Sequence, residues 1–168
     1  MPLVRPERES DHAGIRAAVI AAMRPEDAEL VERVRASDRY IPGLALVAER
    51  HGEVLGYVLF SHVELMCETS SPVLALAPLC VRPEWQRTGI GTRLVRLGLE
   101  RAGELGEPLV TVLGDPAYYG RFGFEPAARF GIEPPAGMPA VAYSVLPLAA
   151  YRTELRGRVV YPPAFDGV

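Results

Sequence analysis

Hydrophobic and polar positions divide the chain into short periodic stretches separated by glycine, proline and charge. Leu3 to Arg5 reads as a short first strand. Asp11 stands where an N-cap would open a helix ending near Ala22. A second helix is expected over residues 26–37, with Leu30, Val31 and Val34 on one side and Pro25 suited to its first turn. Residues 44–49 and 54–65 read as strands joined by His51-Gly52, since glycine accepts the positive φ of a tight turn. Gly56 is a candidate bulge in the second of them. Residues 73–81, VLALAPLCV, form the nearly unbroken apolar run expected of a strand buried on both faces. Pro78 lies inside that run and cannot donate to a ladder, which predicts a bulge or a released strand.

Gly89 then opens a helix of about 15 residues, in which Ile90, Leu94, Leu97 and Arg101 share one side. Gly103 and Gly106 are suited to terminate it. Residues 109–113 read as a second buried strand, followed by a short helix over 116–121. The stretch 124–148 is rich in glycine and proline around two weaker strand signals. Early helices, a hairpin, then strand–helix–strand–helix predict a mixed α/β domain. No repeat or low-complexity linker divides residues 1–168, so one domain is expected.

Composition narrows the function classes. The 168 residues are 49% hydrophobic and 23% charged, as in ordinary globular chains. A formal net charge of -3 argues against a general nucleic-acid binder. Two cysteines, Cys67 and Cys80, make neither a disulfide framework nor a four-ligand zinc site. His12, His51 and His62 lack metal-ligand spacing, so no metal is expected. The first residues are charged rather than signal-like, and no apolar run approaches the ~20 residues that span a bilayer, so a cytoplasmic location away from the membrane is expected. All 18 basic residues are arginine, a bias that fits a GC-rich genome and says little about function.

The informative segment is Leu79 to Thr92: a buried strand, a short loop, two glycines, then an amphipathic helix. A helix start presents unpaired N–H groups and a positive dipole end, and glycines let a phosphate approach closely. Arg87 and Arg93 are placed to add charge. The segment is neither GxxxxGK[ST] nor GxGxxG. A strand–helix turn whose glycines serve tight packing alone accounts for the same pattern.

Gln86-Arg87-Thr88-Gly89-Ile90-Gly91 matches the Gln/Arg-x-x-Gly-x-Gly/Ala signature of the GCN5-related N-acetyltransferases (GNAT), and Val81-Arg82-Pro83-Glu84-Trp85 matches its lead. Downstream, Tyr118-Tyr119-Gly120-Arg121-Phe122-Gly123-Phe124 resembles the family's aromatic-Tyr-x-x-x-Gly-Phe segment. Ala77-Pro78-Leu79, the string from Gly114 to Phe124 and Val160-Tyr161-Pro162-Pro163-Ala164-Phe165 resemble the YhbS-type branch; Cys80 departs from its usual small aliphatic residue. The resemblance implies the acyl-CoA N-acyltransferase fold: a twisted, mostly antiparallel sheet with one splayed parallel strand pair, flanked by about four helices. It implies acetyl-CoA as co-substrate, held in the splay by the backbone of Leu79 and Val81 and around Gln86, Arg87, Thr88, Gly89, Ile90, Gly91 and Thr92. It also implies direct transfer to a small-molecule or peptide amine, with homodimerisation an open option.

By the same resemblance Tyr119 matches the general-acid tyrosine that protonates the departing thiolate; a packing tyrosine is the alternative reading. For the general base, Glu64 is the candidate, with Glu68 and Glu84 behind it; each also reads as a solvated carboxylate. Cys80, inside an apolar run with no paired histidine, reads as a buried inert thiol rather than a nucleophile. The acidic start of the second helix, Glu26, Asp27 and Glu29, suits either a cationic amine or the helix dipole. Beside the enzyme reading stand a non-catalytic acyl-CoA sensor on the same fold and an acyltransferase using aminoacyl-tRNA, the latter disfavoured by the acidic balance.

Overall fold

The computed structural model describes residues 1–167. In chain order it contains β1 (Leu3–Pro6), α1 (His12–Ala22), α2 (Pro25–Arg35), β2 (Ala45–Arg50), β3 (Glu53–Met66), β4 (Ser70–Val81) and α3 (Ile90–Glu104). There follow β5 (Leu109–Leu113), α4 (Pro116–Gly120), β6 (Glu125–Pro126), β7 (Ile132–Glu133), β8 (Tyr143–Pro147) and β9 (Gly157–Val160). The strands form one sheet in the order β1-β2-β3-β4-β5-β8-β6, with β9 on the far half of β3 and β7 on β9. Only β4–β5 and β7–β9 pair in parallel among the described residues. The expected mixed fold, splayed parallel pair and four helices are all present.

The sheet separates two apolar layers. On one face α1 and α2 bring Ile15, Val19, Leu30, Val31 and Val34 against Tyr57, Leu59, Val73 and Ala75. On the other α3 brings Ile90, Leu94, Val95 and Ala102 against Val58, Phe60, Leu74, Val110 and Val112. α3 lies directly on β3, because a Cβ at Gly98 would fall inside the Phe60 ring. Under α1 and α2 the buried Glu7 carboxylate accepts hydrogen bonds from Tyr57 (2.8 Å), Tyr40 (3.0 Å) and Arg35 (2.8 Å). That network satisfies a charge taken out of water and ties the end of α2 to the sheet.

Asp11 does not cap α1. Its carboxylate turns back to Arg5 (2.7 and 3.0 Å) and to the Arg8 N–H (2.7 Å), because a bidentate pair with a cation on the edge strand outweighs a neutral cap. α2 ends two residues earlier than the pattern predicts, and Asp27 in its first turn accepts from the Arg24 N–H at 3.1 Å. The hairpin turn runs through His51 (φ 52) and Gly52 (φ 80), as expected of a two-residue connection.

Two irregularities position the site. β2 and β3 slip register between Ala48 and Glu49, opposite Gly56. β3 and β4 slip between Val58, paired with Leu79, and Phe60, paired with Leu76, so β4 carries an extra residue at Ala77-Pro78. The bulge inverts the alternation: Ala75 and Cys80 face the α1–α2 layer, whereas Leu76, Leu79 and Val81 face the α3 layer.

Candidate active site: a cleft between diverging strands

β4 and β5 pair only at Leu74–Val110 and Ala75–Thr111. The Thr111 hydroxyl closes that last rung by donating to the Leu74 carbonyl at 3.0 Å. Beyond it the strands part, and β4 from Leu76 to Val81 keeps β3 on one edge and leaves the other unpaired. Backbone N–H and C=O groups on such an edge need partners. They face a cleft of about 740 Å³ that runs from Leu79 to Val81 over the start of α3 to α4.

The floor of the cleft is the turn into α3. Arg87 takes a left-handed conformation (φ 63), and Gly89, the residue before the first helical turn, has φ 90. The first helical hydrogen bond runs from the Arg93 N–H to the Gly89 carbonyl at 3.1 Å, so the preceding N–H groups have no partner within the helix. Gln86 donates through Nε2 to the Val81 carbonyl at 3.0 Å and the Thr88 hydroxyl bonds the Trp85 carbonyl, which pins the loop to the end of β4. Arg82 reinforces this anchor by donating to the Val54 carbonyl at 2.8 Å.

The two glycines differ. A Cβ at Gly89 would meet nothing within 4 Å, so its need for glycine is conformational; a Cβ at Gly91 would lie 2.9 Å from the Tyr118 hydroxyl, so its need is close approach.

Leu79, Val81, Gln86, Arg87, Gly89, Gly91 and Thr92 therefore line one cleft. Ile90 and Thr88 turn their side chains elsewhere, so only their backbone N–H groups are available to the cleft. Ile90 is 3% exposed and its side chain belongs to the core under α3. Thr88 faces a neighbouring hollow beside Trp85 and Arg93. Trp85, Ala117, Tyr118 and Arg121 also line the cleft, and the sequence pattern alone gives none of them a binding role.

Tyr118 is the cleft-wall tyrosine. Tyr119 lies behind it, edge-on to Tyr118 (5.0 Å) and Phe124 (5.7 Å), with its ring against Gly114 at the end of β5. Burial pushes the Tyr119 hydroxyl up to about 12. Cys80 touches the cleft, and burial raises its thiol to about 12, so the thiolate is absent at neutral pH. The nearby Asp27 carboxylate pushes it in the same direction.

Glu64 is not at the cleft. It pairs with Pro72 and Val160 and lies 3.7 Å from Arg39. Six residue steps along β3 separate it from Val58, the partner of Leu79, or roughly 20 Å of extended chain. Direct proton transfer from a group at the splay is out of reach. Glu68 and Glu84 are exposed.

Among the described residues no cluster of histidine, cysteine and carboxylate could hold a metal ion, and no helix is long and apolar enough to cross a membrane.

Residues 15–124 match the model of the acetyltransferase (GNAT) family. The chain is 40% identical over 104 residues to the uncharacterized N-acetyltransferase YjhQ of Escherichia coli K12; the match spans 61% of this chain and 58% of that protein, a little over half its length. It is 40% identical over 128 residues to the uncharacterized N-acetyltransferase YhbS of the same organism, 75% of each. The crystal structure of Escherichia coli YhbS in complex with CoA superposes with a TM-score of 0.89 at 32% identity, covering 98% of this chain and 92% of that one. A GNAT family acetyltransferase from Brucella melitensis in complex with acetyl-CoA superposes with a TM-score of 0.81 at 32% identity, covering 99% of both.

Proposed function

The chain belongs to the acetyltransferase (GNAT) family, and from that membership we propose that it moves an acetyl group from acetyl-CoA to a primary amine by direct attack. The observation that carries the proposal is the parting of β4 and β5 above the Ala75–Thr111 rung, with the cleft running from there onto the unpaired start of α3. Related structures of the same fold hold CoA and acetyl-CoA. The chemistry of this cleft suits such a molecule: a free strand edge for the amide-bearing pantetheine, then N–H groups and arginine for the phosphates.

Bound acetyl-CoA supplies a thioester carbonyl as the electrophile. The free edge of β4 offers a backbone N–H at Cys80 or Val81 to the negative charge that develops on the carbonyl oxygen. Leu79 and Val81 orient the pantetheine arm, and the turn from Arg87 to Thr92 fixes its phosphate end. We assign Tyr119 to the sulfur because its ring packs on Gly114 at the end of β5, the strand that borders the splay, whereas Tyr118 stands over the start of α3. A hydroxyl raised to about 12 stays protonated throughout the working range, so it donates a hydrogen bond to the leaving sulfur as negative charge gathers there. Among the described residues no carboxylate side chain lines the cleft, so the amine attacks in its neutral form or loses its proton through water. The substrate is a small-molecule or peptide amine in the cytoplasm, a compartment that the unpaired Cys67 and Cys80 fit.

Thermal melting tests the cofactor assignment. At about 100 Kd a ligand that binds only the native state stabilises by about 2.7 kcal/mol. Acetyl-CoA and CoA are expected to raise Tm, and ATP far less; equal shifts with ATP, or none with either CoA species, would overturn the assignment.

A further inference from the structure

Two arginines line the cleft, Arg87 on the turn into α3 and Arg121 just beyond α4. Among the described residues neither has a carboxylate within ion-pairing distance, in a chain whose net charge is -3. Arg121 is nonetheless held in place. Its guanidinium lies 4.5 Å above the Tyr118 ring and 5.2 Å from the Phe122 ring, and Nε donates to the Tyr118 carbonyl at 3.3 Å. Its Nη2 reaches across the cleft to the Thr92 hydroxyl at 3.1 Å. Thr92 is the third residue of α3, so its own N–H is among those without a partner inside the helix. Two unneutralised guanidinium groups and the positive end of a 15-residue helix thus face one space. Such an arrangement is stabilised by an anion of more than one charge placed between them.

We propose that Arg121 is the second cation of a diphosphate clamp. Arg87 and the N–H groups at the start of α3 hold the diphosphate from below, and Arg121 closes on it from the α4 side, exchanging the Thr92 hydroxyl for a phosphate oxygen. The inference rests on the acetyl-CoA reading and adds a donor specificity to it. The recognised feature is the diphosphate linkage rather than the 3′-phosphate of CoA. A thioester on phosphopantetheine, which carries a single phosphate as on an acyl carrier protein, is therefore a poor donor. The Tyr118 stack pre-orients the guanidinium, so little side-chain freedom is lost on binding.

The test is calorimetric titration of CoA, dephospho-CoA and 4′-phosphopantetheine into the parent, Arg121→Gln and Arg96→Gln. Dephospho-CoA keeps the diphosphate and lacks the 3′-phosphate. Arg96 is exposed on α3 outside the cleft, so its variant controls for the change in net charge. Arg121 is itself exposed, and an unchanged Tm of its variant will show that the fold is intact. Arg121→Gln is expected to weaken CoA and dephospho-CoA by the same factor, about 10- to 100-fold, as for removal of a hydrogen bond to a charged group. Phosphopantetheine binding, weak in the parent, is expected to change much less, and Arg96→Gln to leave all three unaltered. Loss confined to CoA, with dephospho-CoA spared, would assign Arg121 to the 3′-phosphate and overturn the clamp. Unchanged affinities in a folded Arg121→Gln would overturn it while leaving the acetyl-CoA reading intact. A parent that binds neither CoA nor dephospho-CoA would remove both.

Discussion

Gly89→Ala and Gly91→Ala add the same methyl group two residues apart, and the structure gives them opposite energetics. At Gly89 the new Cβ meets nothing, but φ is 90, where an L-residue costs about 1–2 kcal/mol. For a chain of this length a decrease of about 1 kcal/mol lowers Tm by roughly 2–4 °C. The turn can relieve the strain only by unwinding, which withdraws N–H groups from the cleft floor. Removing one charge-assisted hydrogen bond to the phosphates costs about 1.5–3 kcal/mol, at least tenfold in the Kd for CoA. At Gly91 the backbone is helical, and alanine gains up to about 1 kcal/mol of helix propensity. Its Cβ would lie 2.9 Å from the Tyr118 hydroxyl, the free end of a side chain that can turn away. Stability is thus expected to be nearly unchanged, whereas CoA binding weakens because the cleft wall has moved. Thermal melting and calorimetric titration of both variants read the two effects separately. A Gly89→Ala protein with unaltered Tm and unaltered affinity would refute the claim that the left-handed turn presents the N–H groups.

Tyr119→Phe is expected to lower kcat by about 10²–10⁴-fold with little change in acetyl-CoA affinity. Because burial raises the parent hydroxyl to about 12, the kcat profile should show no descending limb from this group below about pH 11; a limb near pH 10 that vanishes in the variant would contradict that burial. Cys80→Ala is expected to keep most turnover, because its thiol, raised to about 12, supplies no thiolate; an acetyl adduct on Cys80 by mass spectrometry, with activity abolished in the variant, would reverse this. Gly98→Ala is expected to destabilise by about 1–3 kcal/mol in chemical denaturation, since its Cβ collides with the Phe60 ring; a neutral result would mean that α3 does not sit on β3 as described. The Arg5 guanidinium holds the Asp11 carboxyl below its ordinary range, so the pair stabilises above about pH 4 and its contribution disappears as pH falls through the lowered native value; Asp11→Asn should flatten that acid limb of the stability profile.

The strand, turn and helix around Gly89 were legible because their signals are local: an apolar run, two glycines, then a 3.6-residue period. Pro78 likewise announced the break in β4, since a missing N–H is visible in sequence. What stayed illegible depends on packing between distant segments. Adjacent residues of a short helix point about 100° apart, and nothing local says which of Tyr118 and Tyr119 stands over the start of α3 and which packs on the end of β5. Arg121 belongs to the site because α4 packs across from Thr92, which no period encodes. Glu64 is eligible in sequence as a carboxylate near a strand end, yet the β3–β4 register carries it away from the splay. The Glu7 network joins residues up to 50 positions apart, beyond any pattern in the sequence.

The measurement that bears most directly on the central claim is thiol release from acetyl-CoA across a panel of small-molecule and peptide amines, with intact-mass analysis of protein and product. Direct transfer predicts free CoA in equal amount to an N-acetylated amine, with no acetyl group on the protein at any time during turnover. Tight acetyl-CoA binding with no amine acetylated would contradict the transferase and leave a sensor of acyl-CoA, while an acetylated protein that passes its acetyl group to the amine would contradict direct attack.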